Sequence, residues 1–404
     1  VQRIVIFGLP YSPNTGDGVI AECLSTGLRA AHPGVTVSCI DISGRTEFGA
    51  VTVRNRSLVL AILKALPRPL AQSLVSYKLG RMLDQFEPAW KDALRGADLA
   101  VIGGGQILSD ADLNFCLKLA RVARLLQEEG CPAVIHAAGV ARNWSPRGQA
   151  LFRALLDCDL RAVGLRDGPS IAAWQDQIGG GGPRPHPTRD PALIAAEVYG
   201  VPPQGNGRIG LCVTDPHILT YHAEGRKSAV SGKDVFADIA LALVASGYRV
   251  TLFCNGAAED RSALVAIQTK PAIASAMAQG QIAVEEPPST PTELATIIGQ
   301  LSAVVAHRLH ACILGYAFQR PIVGLGWDRK LESFFQSVGL DNAFLPASDL
   351  SPQNVVQRLE AAQAAGIDPA RHAAVLAETR VAINGIFDGC KPARFRQPVV
   401  ALAT

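Results

Sequence analysis

Short apolar runs alternate along most of the chain with stretches whose apolar residues recur every three or four positions. The first run, Ile4–Gly8, reads as a buried strand. A helix from about Asp17 follows, with Ile20, Cys23, Leu24 and Leu28 on one face. Val35–Ile42 and Asp98–Ile102 read as further strands, the latter running into Gly103-Gly104-Gly105. A helix ending near Gly130 presents Leu119, Val122 and Leu126 on its apolar face. Pro132–Ala138 is a strand, and Ser145-Pro146 supplies a cap and a first-turn proline for the next helix. Arg161–Leu165 is again a strand.

The composition then changes. Gly179–Pro187 (G-G-G-G-P-R-P-H-P) reads as an exposed loop, and Glu197–Gly207 carries no periodic pattern, which places a domain junction there. Beyond it the rhythm restarts with strands Ile209–Val213, Arg249–Cys254, Ile282–Val284, Ala303–Ala306 and Pro321–Leu325. Thr290-Pro291-Thr292-Glu293 has the form of a capping box. Alternating strands and helices predict an α/β protein built on parallel sheets: two Rossmann-like domains facing across a cleft. The expected domains are residues 1–200, residues 201–350, and helices in 351–404 packing back toward the first domain.

A length of 404 residues fits two domains better than one core. Apolar residues make up 48% of the chain and charged ones 18%, as in a well-buried α/β protein. A formal net charge of +3 is too small to argue for nucleic acid, though a mildly basic face suits a phosphorylated substrate or an anionic membrane surface. The nine cysteines are scattered without a C-x-x-C pair, which predicts reduced thiols and neither a disulfide framework nor a zinc site. No signal peptide or transmembrane segment is expected. Ser57–Val75 is apolar with basic punctuation and reads as a core-facing hairpin or a membrane-resting surface, so the expected location is cytoplasmic, with peripheral membrane association as a second possibility.

Ligands of open parallel sheets bind beyond the carboxyl ends of the strands, and four clusters fall there. In Asn14-Thr15-Gly16-Asp17, Gly16 permits a tight turn and close ligand approach, and Asp17 either caps the helix or accepts a proton from a hydroxyl. Gly103-Gly104-Gly105-Gln106 offers backbone N–H groups to a ligand. In Gly164-Leu165-Arg166-Asp167, Arg166 either pairs with Asp167 or holds an anion. The richest cluster is His307-Arg308-Leu309-His310, where a strand runs into a small-residue helix. A buried guanidinium needs an anionic partner; if no protein carboxylate supplies one, a ligand must. The helix dipole points to the same spot, and an imidazole there suits proton transfer. His307 reads either as core or as support for that pair, and Asp328 and Lys330 either serve a ligand or solvate a helix end. His136, Arg142, Asn143 and Trp144 also follow a strand.

In this order the clusters resemble the polysaccharide pyruvyl transferase family: N-T-G-D, A-D-L-A-V-I-G-G-G, G-L-R-D-G-P-S, R-D-P-A-L, A-H-R-L-H-A and W-D-R-K-L-E-S-F-F, spread from about Ile4 to Leu340. His307 stands where a small residue is frequent in the family. The resemblance implies a GT-B-like fold and transfer of a pyruvyl group from phosphoenolpyruvate, as co-substrate, to two hydroxyls of one sugar. The acceptor would belong to an exopolysaccharide or a lipid-linked precursor. It implies that Arg308, Leu309 and His310 contact phosphoenolpyruvate, with Lys330 as a further donor-side residue. Asn14, Gly16, Asp17, Gly104, Gly105, Gln106 and Arg166 would lie on the acceptor side.

Chemically, His310 is the candidate acid that protonates the enol carbon, and Asp17 the candidate base for the attacking hydroxyl. No three-His or H-x-E pattern is present, so neither metal nor cofactor is expected. The rival is a GT-B glycosyltransferase using a nucleotide sugar, with Glu285 and Glu293 at the spacing some such enzymes use. A sugar-binding protein that retains the fold without the chemistry is a further alternative.

Overall fold

The computed structural model describes residues 2–49, 68–200, 205–215, 234–326 and 329–390. Over these, the chain divides into two compact units. One comprises Val1–Ser12, Ile20–Pro191 and Thr379–Thr404; the other comprises Pro13–Val19 and Ala192–Glu378.

The first unit holds a six-stranded parallel sheet in the order β2-β1-β3-β4-β5-β6. Its strands are β1 (Arg3–Gly8), β2 (Thr36–Asp41), β3 (Leu99–Gly103), β4 (Ala133–Ala138), β5 (Leu160–Leu165) and β6 (Pro185–Pro187). The inner strands β3 and β4 are buried along their whole length, as near-continuous apolar runs require when both faces are covered. Helix Asn114–Glu129 adds Leu119, Val122 and Leu126 to the core, the face its periodicity predicts. The next helix begins as expected, with Ser145 Oγ accepting from the Gly148 N–H at 3.1 Å and proline inside the first turn.

Gly179–Pro187 differs from its reading as a loop. Its last three residues form β6, paired in parallel with β5. Two prolines in a three-residue strand remove ladder donors, which an edge position tolerates because only one side is paired. The expected hairpin over Ser57–Val75 falls mostly outside the described residues. From Arg68 the chain is helical to Leu94, with Tyr77 exposed.

The second unit's sheet is also six-stranded and parallel, in the order β12-β11-β10-β7-β8-β9. The strands are β7 (Arg208–Cys212), β8 (Arg249–Phe253), β9 (Ile282–Val284), β10 (Ala303–Ala306), β11 (Ile322–Leu325) and β12 (Phe344–Leu345). Counted from β7, this is the doubly wound Rossmann order, and the topological switch point lies between β7 and β10. Thr290 caps as expected, its Oγ1 accepting from Glu293 N–H at 3.2 Å, while Glu293 Oε2 accepts from the N–H of Ser289, one residue before the cap, at 2.7 Å. Helix Ala195–Tyr199, before the expected boundary at residue 200, packs against helices Pro291–Gln300 and Leu309–Ala317. The described residues after 350 are divided between the units. Helix Pro352–Ala365 packs on helix Val235–Ala245 and β11 of the second unit, and residues 379–390 belong to the first.

Among the described residues no helix is long and apolar enough to cross a membrane. Eight of the cysteines are free thiols, all but Cys39 buried.

His136 on β4 is 3% exposed, and burial pushes its pKa from 6.5 down to about 4, with His186 adding to the effect and Asp190 opposing it. Burial also lowers the pKa of His186. The unfolded chain therefore binds more protons than the native one between these values. Stability is full above about pH 6.5 and falls as the pH drops through about 4, by on the order of 3 kcal/mol from His136 alone. Denaturant titrations of wild type and His136→Asn across this window should show a shallower slope in the variant.

Candidate functional site

At the end of β10 the chain leaves the sheet through His307 and enters helix Leu309–Ala317 at Arg308, the N-cap, in extended backbone conformation. His307 faces the neighbouring strand, its Nδ1–H donating to the Leu325 carbonyl at 3.0 Å, and so ties the ends of β10 and β11 together. Leu309 is half-buried and His310 is buried at 7% exposure.

The guanidinium of Arg308 has a protein partner. Its Nε donates to Asp260 Oδ2 at 2.9 Å and its Nη2 to Oδ1 at 2.8 Å. Asp260 has a side chain with 0% exposure, against 19% for Arg308, and its Oδ1 also accepts from the Asp215 N–H at 3.0 Å. Burial opposes the charge on Arg308; the adjacent Asp260 outweighs it and raises the pKa, with Asp17 contributing least. The condition on which an unpaired guanidinium would demand a ligand anion is therefore not met: the charge is balanced inside the protein. Nη1 is the guanidinium nitrogen that Asp260 does not engage.

The N-T-G-D cluster meets this helix start within the second unit. Thr15 begins helix Thr15–Ala31, and its N–H and Oγ1 both donate to the Asn255 carbonyl, at 2.9 and 3.0 Å. Asp17 is not the cap; it lies in the first turn, with Asn14 Nδ2 donating to its Oδ2 at 3.4 Å. Gly16 makes no tight turn either, because it is helical. Its role is steric: a Cβ there would lie 2.6 Å from His310 Cβ and 2.7 Å from Nδ1, so the bare backbone gives the imidazole its place. Gly16 thus seats His310 beside the turn that carries Asp17, and Asp17 lies within electrostatic reach of Arg308.

The remaining expected acceptor-side residues lie in the first unit. Gly104 and Gly105 have φ of 80° and 69°, as the turn requires. The Gly104 N–H donates to the His136 carbonyl at 3.1 Å, so it is engaged internally instead of facing a ligand. A Cβ on Gly104 would meet Ile20 Cγ2 at 2.4 Å. Arg166 Nη2 donates to Gln106 Oε1 at 3.2 Å and its Nε to Asp167 Oδ2 at 3.5 Å, while Asp167 caps the following helix through the Ser170 N–H. Of its two readings, Arg166 thus shows the internal ion pair. Arg142 pairs with Asp176, Asn143 with Ser109 and the backbone of Asp110, and the Trp144 indole donates to the Leu108 carbonyl. Lys330 is half-buried on the first turn of helix Arg329–Ser337, after β11. Asp328 lies outside the described residues.

Sequence reading missed Asp260 and Asn255. Asn255-Gly256 follows β8, and Asp260 is in the first turn of the next helix, the strand-end position that flagged the other clusters. The available signal was a polar break, C-N-G-A-A-E-D, after an apolar strand. Among the described residues no group of three or more His, Cys, Asp or Glu side chains is placed to hold a metal ion.

The family model for polysaccharide pyruvyl transferase matches residues 14–329, from the N-T-G-D cluster to the helix after β11. The chain belongs to the polysaccharide pyruvyl transferase family. Comparison with curated proteins gives no match. Among solved structures, UDP-GlcNAc 2-epimerase from Neisseria meningitidis, bound to UDP-GlcNAc, is similar with a TM-score of 0.52 at 11% identity, covering 94% of this chain and 100% of that one. UDP-N-acetylglucosamine 2-epimerase from Rickettsia bellii is similar with a TM-score of 0.51 at 10% identity, covering 96% and 95%. These likenesses concern the fold: two Rossmann-like units, GT-B-like in class.

For this pyruvyl transferase family member, removing either half of the ion pair should cost unequally. Arg308→Leu strands a carboxylate without solvent access and should destabilise by about 3–5 kcal/mol, whereas Asp260→Leu leaves a partly hydrated guanidinium and should cost less. Urea titrations of the two variants measure the order. Gly16→Ala tests the seat of His310. Alanine adds about 0.5–1 kcal/mol of helix propensity, but forcing a methyl into His310 costs about 1–3 kcal/mol, so the melting temperature should fall.

Proposed function

We propose that this family member transfers the pyruvyl group of phosphoenolpyruvate to two hydroxyls of a sugar in a polysaccharide or lipid-linked precursor, forming a cyclic ketal and releasing phosphate. The observation that carries this reading is the meeting of two helix starts, one carrying Asp17 and the other Arg308 and His310, in a chain of this family. Phosphoenolpyruvate is anionic at two groups, and a helix N-terminus with an oriented guanidinium offers donors to both.

In the proposed reaction His310 gives a proton to the methylene carbon, and C2 becomes oxocarbenium-like. One sugar hydroxyl attacks C2 as Asp17 takes its proton. The C2–O bond to phosphate then breaks, the second hydroxyl closes the ring at C2, and its proton leaves with phosphate. Phosphoenolpyruvate serves as co-substrate, and no step is assigned to a metal or cofactor. Gly104, Gly105, Gln106 and Arg166 are assigned to the acceptor side in this reading, and Gln106, Arg166 and the Gly104 N–H also have internal partners. We place the enzyme in the cytoplasm with peripheral membrane contact, in keeping with its free thiols. The glycosyltransferase alternative loses support at Glu293, whose carboxylate is committed to the cap at Ser289.

Incubation with phosphoenolpyruvate and candidate glycosides, followed by mass spectrometry, should yield a pyruvyl ketal with one phosphate per ketal. His310→Ala and Asp17→Asn should each lower kcat by about 100-fold or more. Thermal stabilisation by nucleotide sugars and not by phosphoenolpyruvate would favour the glycosyltransferase instead.

A further inference from the structure

β10, β7 and β8 are neighbours in the second sheet, paired so that Ala306, Cys212 and Phe253 stand in one row. Two residues beyond each member of that row stand Arg308, Thr214 and Asn255. All three lie at the carboxyl ends of strands around the switch point, where open parallel sheets bind ligands.

Thr214 is 0% exposed and Asn255 1%. Thr214 Oγ1 and Asn255 Nδ2 are buried with no hydrogen-bond partner among the described residues. Orphaned groups of this kind are rare in native proteins because water that solvated them in the unfolded chain is not replaced. The amide of Asn255 is oriented by Cys212, whose Sγ lies 3.5 Å from Oδ1. Burial holds the Cys212 thiol well above its ordinary pKa, so the sulfur keeps its proton and donates to Oδ1. The Nδ2 group is then an unused donor. It belongs to an amide held by a thiol at the end of β7 that feels the charges of both Asp260 and Arg308. Thr214 precedes Asp215, whose N–H donates to Asp260. Three donor groups thus stand on the carboxyl ends of three adjacent strands: Thr214 Oγ1, Asn255 Nδ2 and Arg308 Nη1.

We propose that Thr214 and Asn255 are substrate-binding residues which, with Nη1 of Arg308, hold an oxyanion of a small phosphorylated carboxylic acid. This rests on the phosphoenolpyruvate reading above and adds two residues to its binding site.

The test is calorimetric titration of phosphoenolpyruvate, inorganic phosphate and pyruvate into wild type, Thr214→Val and Asn255→Leu, with melting temperatures recorded alongside. Each substitution should raise the Kd for phosphoenolpyruvate by about tenfold or more, because a hydrogen bond to a charged group is lost. The melting temperature should hold or rise in Thr214→Val, where a stranded hydroxyl gives way to a methyl, and hold or fall slightly in Asn255→Leu, which also removes the acceptor of the Cys212 thiol. The phosphate and pyruvate arms report which oxyanion is held. Phosphoenolpyruvate binding within about twofold of wild type in Thr214→Val and in a folded Asn255→Leu would overturn the inference while leaving the donor reading intact. A wild type that binds phosphate but not phosphoenolpyruvate, with phosphate affinity reduced in the variants, would support the oxyanion site and overturn the donor reading. Binding of neither ligand by wild type would overturn both.

Discussion

A carboxylate with no solvent exposure must be paired, and Asp260 is paired to Arg308 through two hydrogen bonds and to the backbone of Asp215 through a third. This bidentate contact ties the start of helix Leu309–Ala317 to helix Ala258–Gln268 and to the end of β7. It also cancels the charge that would otherwise draw an anion to the spot. What the pair leaves at this spot is therefore directional and carries no surplus charge. The helix start, the free edge of a held guanidinium and nearby polar side chains all present donors.

Against this fixed pair, the seat of His310 depends on an absence. The missing Cβ of Gly16 lets the imidazole lie on the first turn of helix Thr15–Ala31, the turn that also carries Asp17. Two segments separated by nearly three hundred positions are thus brought to one place by backbone packing and by the bonds from Thr15 to the Asn255 carbonyl. Among the described residues, Thr214 Oγ1 and Asn255 Nδ2 stand at the same strand ends, buried and without a hydrogen-bond partner. A buried polar group left without a partner lowers stability.

Membership of the pyruvyl transferase family and the likeness to two UDP-GlcNAc epimerases speak to different matters. At 10–11% identity the epimerases share an architecture with this chain. Chemistry on such a scaffold is decided by the side chains at the strand ends. The family match begins at Asn14 and closes just past Asp328, so it spans both the N-T-G-D turn and the R-L-H helix start.

Hydrophobic periodicity alone located ten strands to within a residue or two, together with the Ser145 and Thr290 helix starts, because burial and capping are local requirements written in neighbouring residues. The short edge strands Pro185–Pro187 and Phe344–Leu345 escaped it: they are too brief for a pattern, and the first is rich in proline. The order of motifs marked Asp17, Arg308 and His310. Their surroundings were decided by tertiary structure. Asp260 meets Arg308 across 48 positions, Gly16 serves His310 and not a turn, and Arg166 is claimed by Gln106 and Asp167. A residue's type states what bonds it is able to make, and only the folded chain settles which partner reaches it first, because that depends on distances no local pattern encodes.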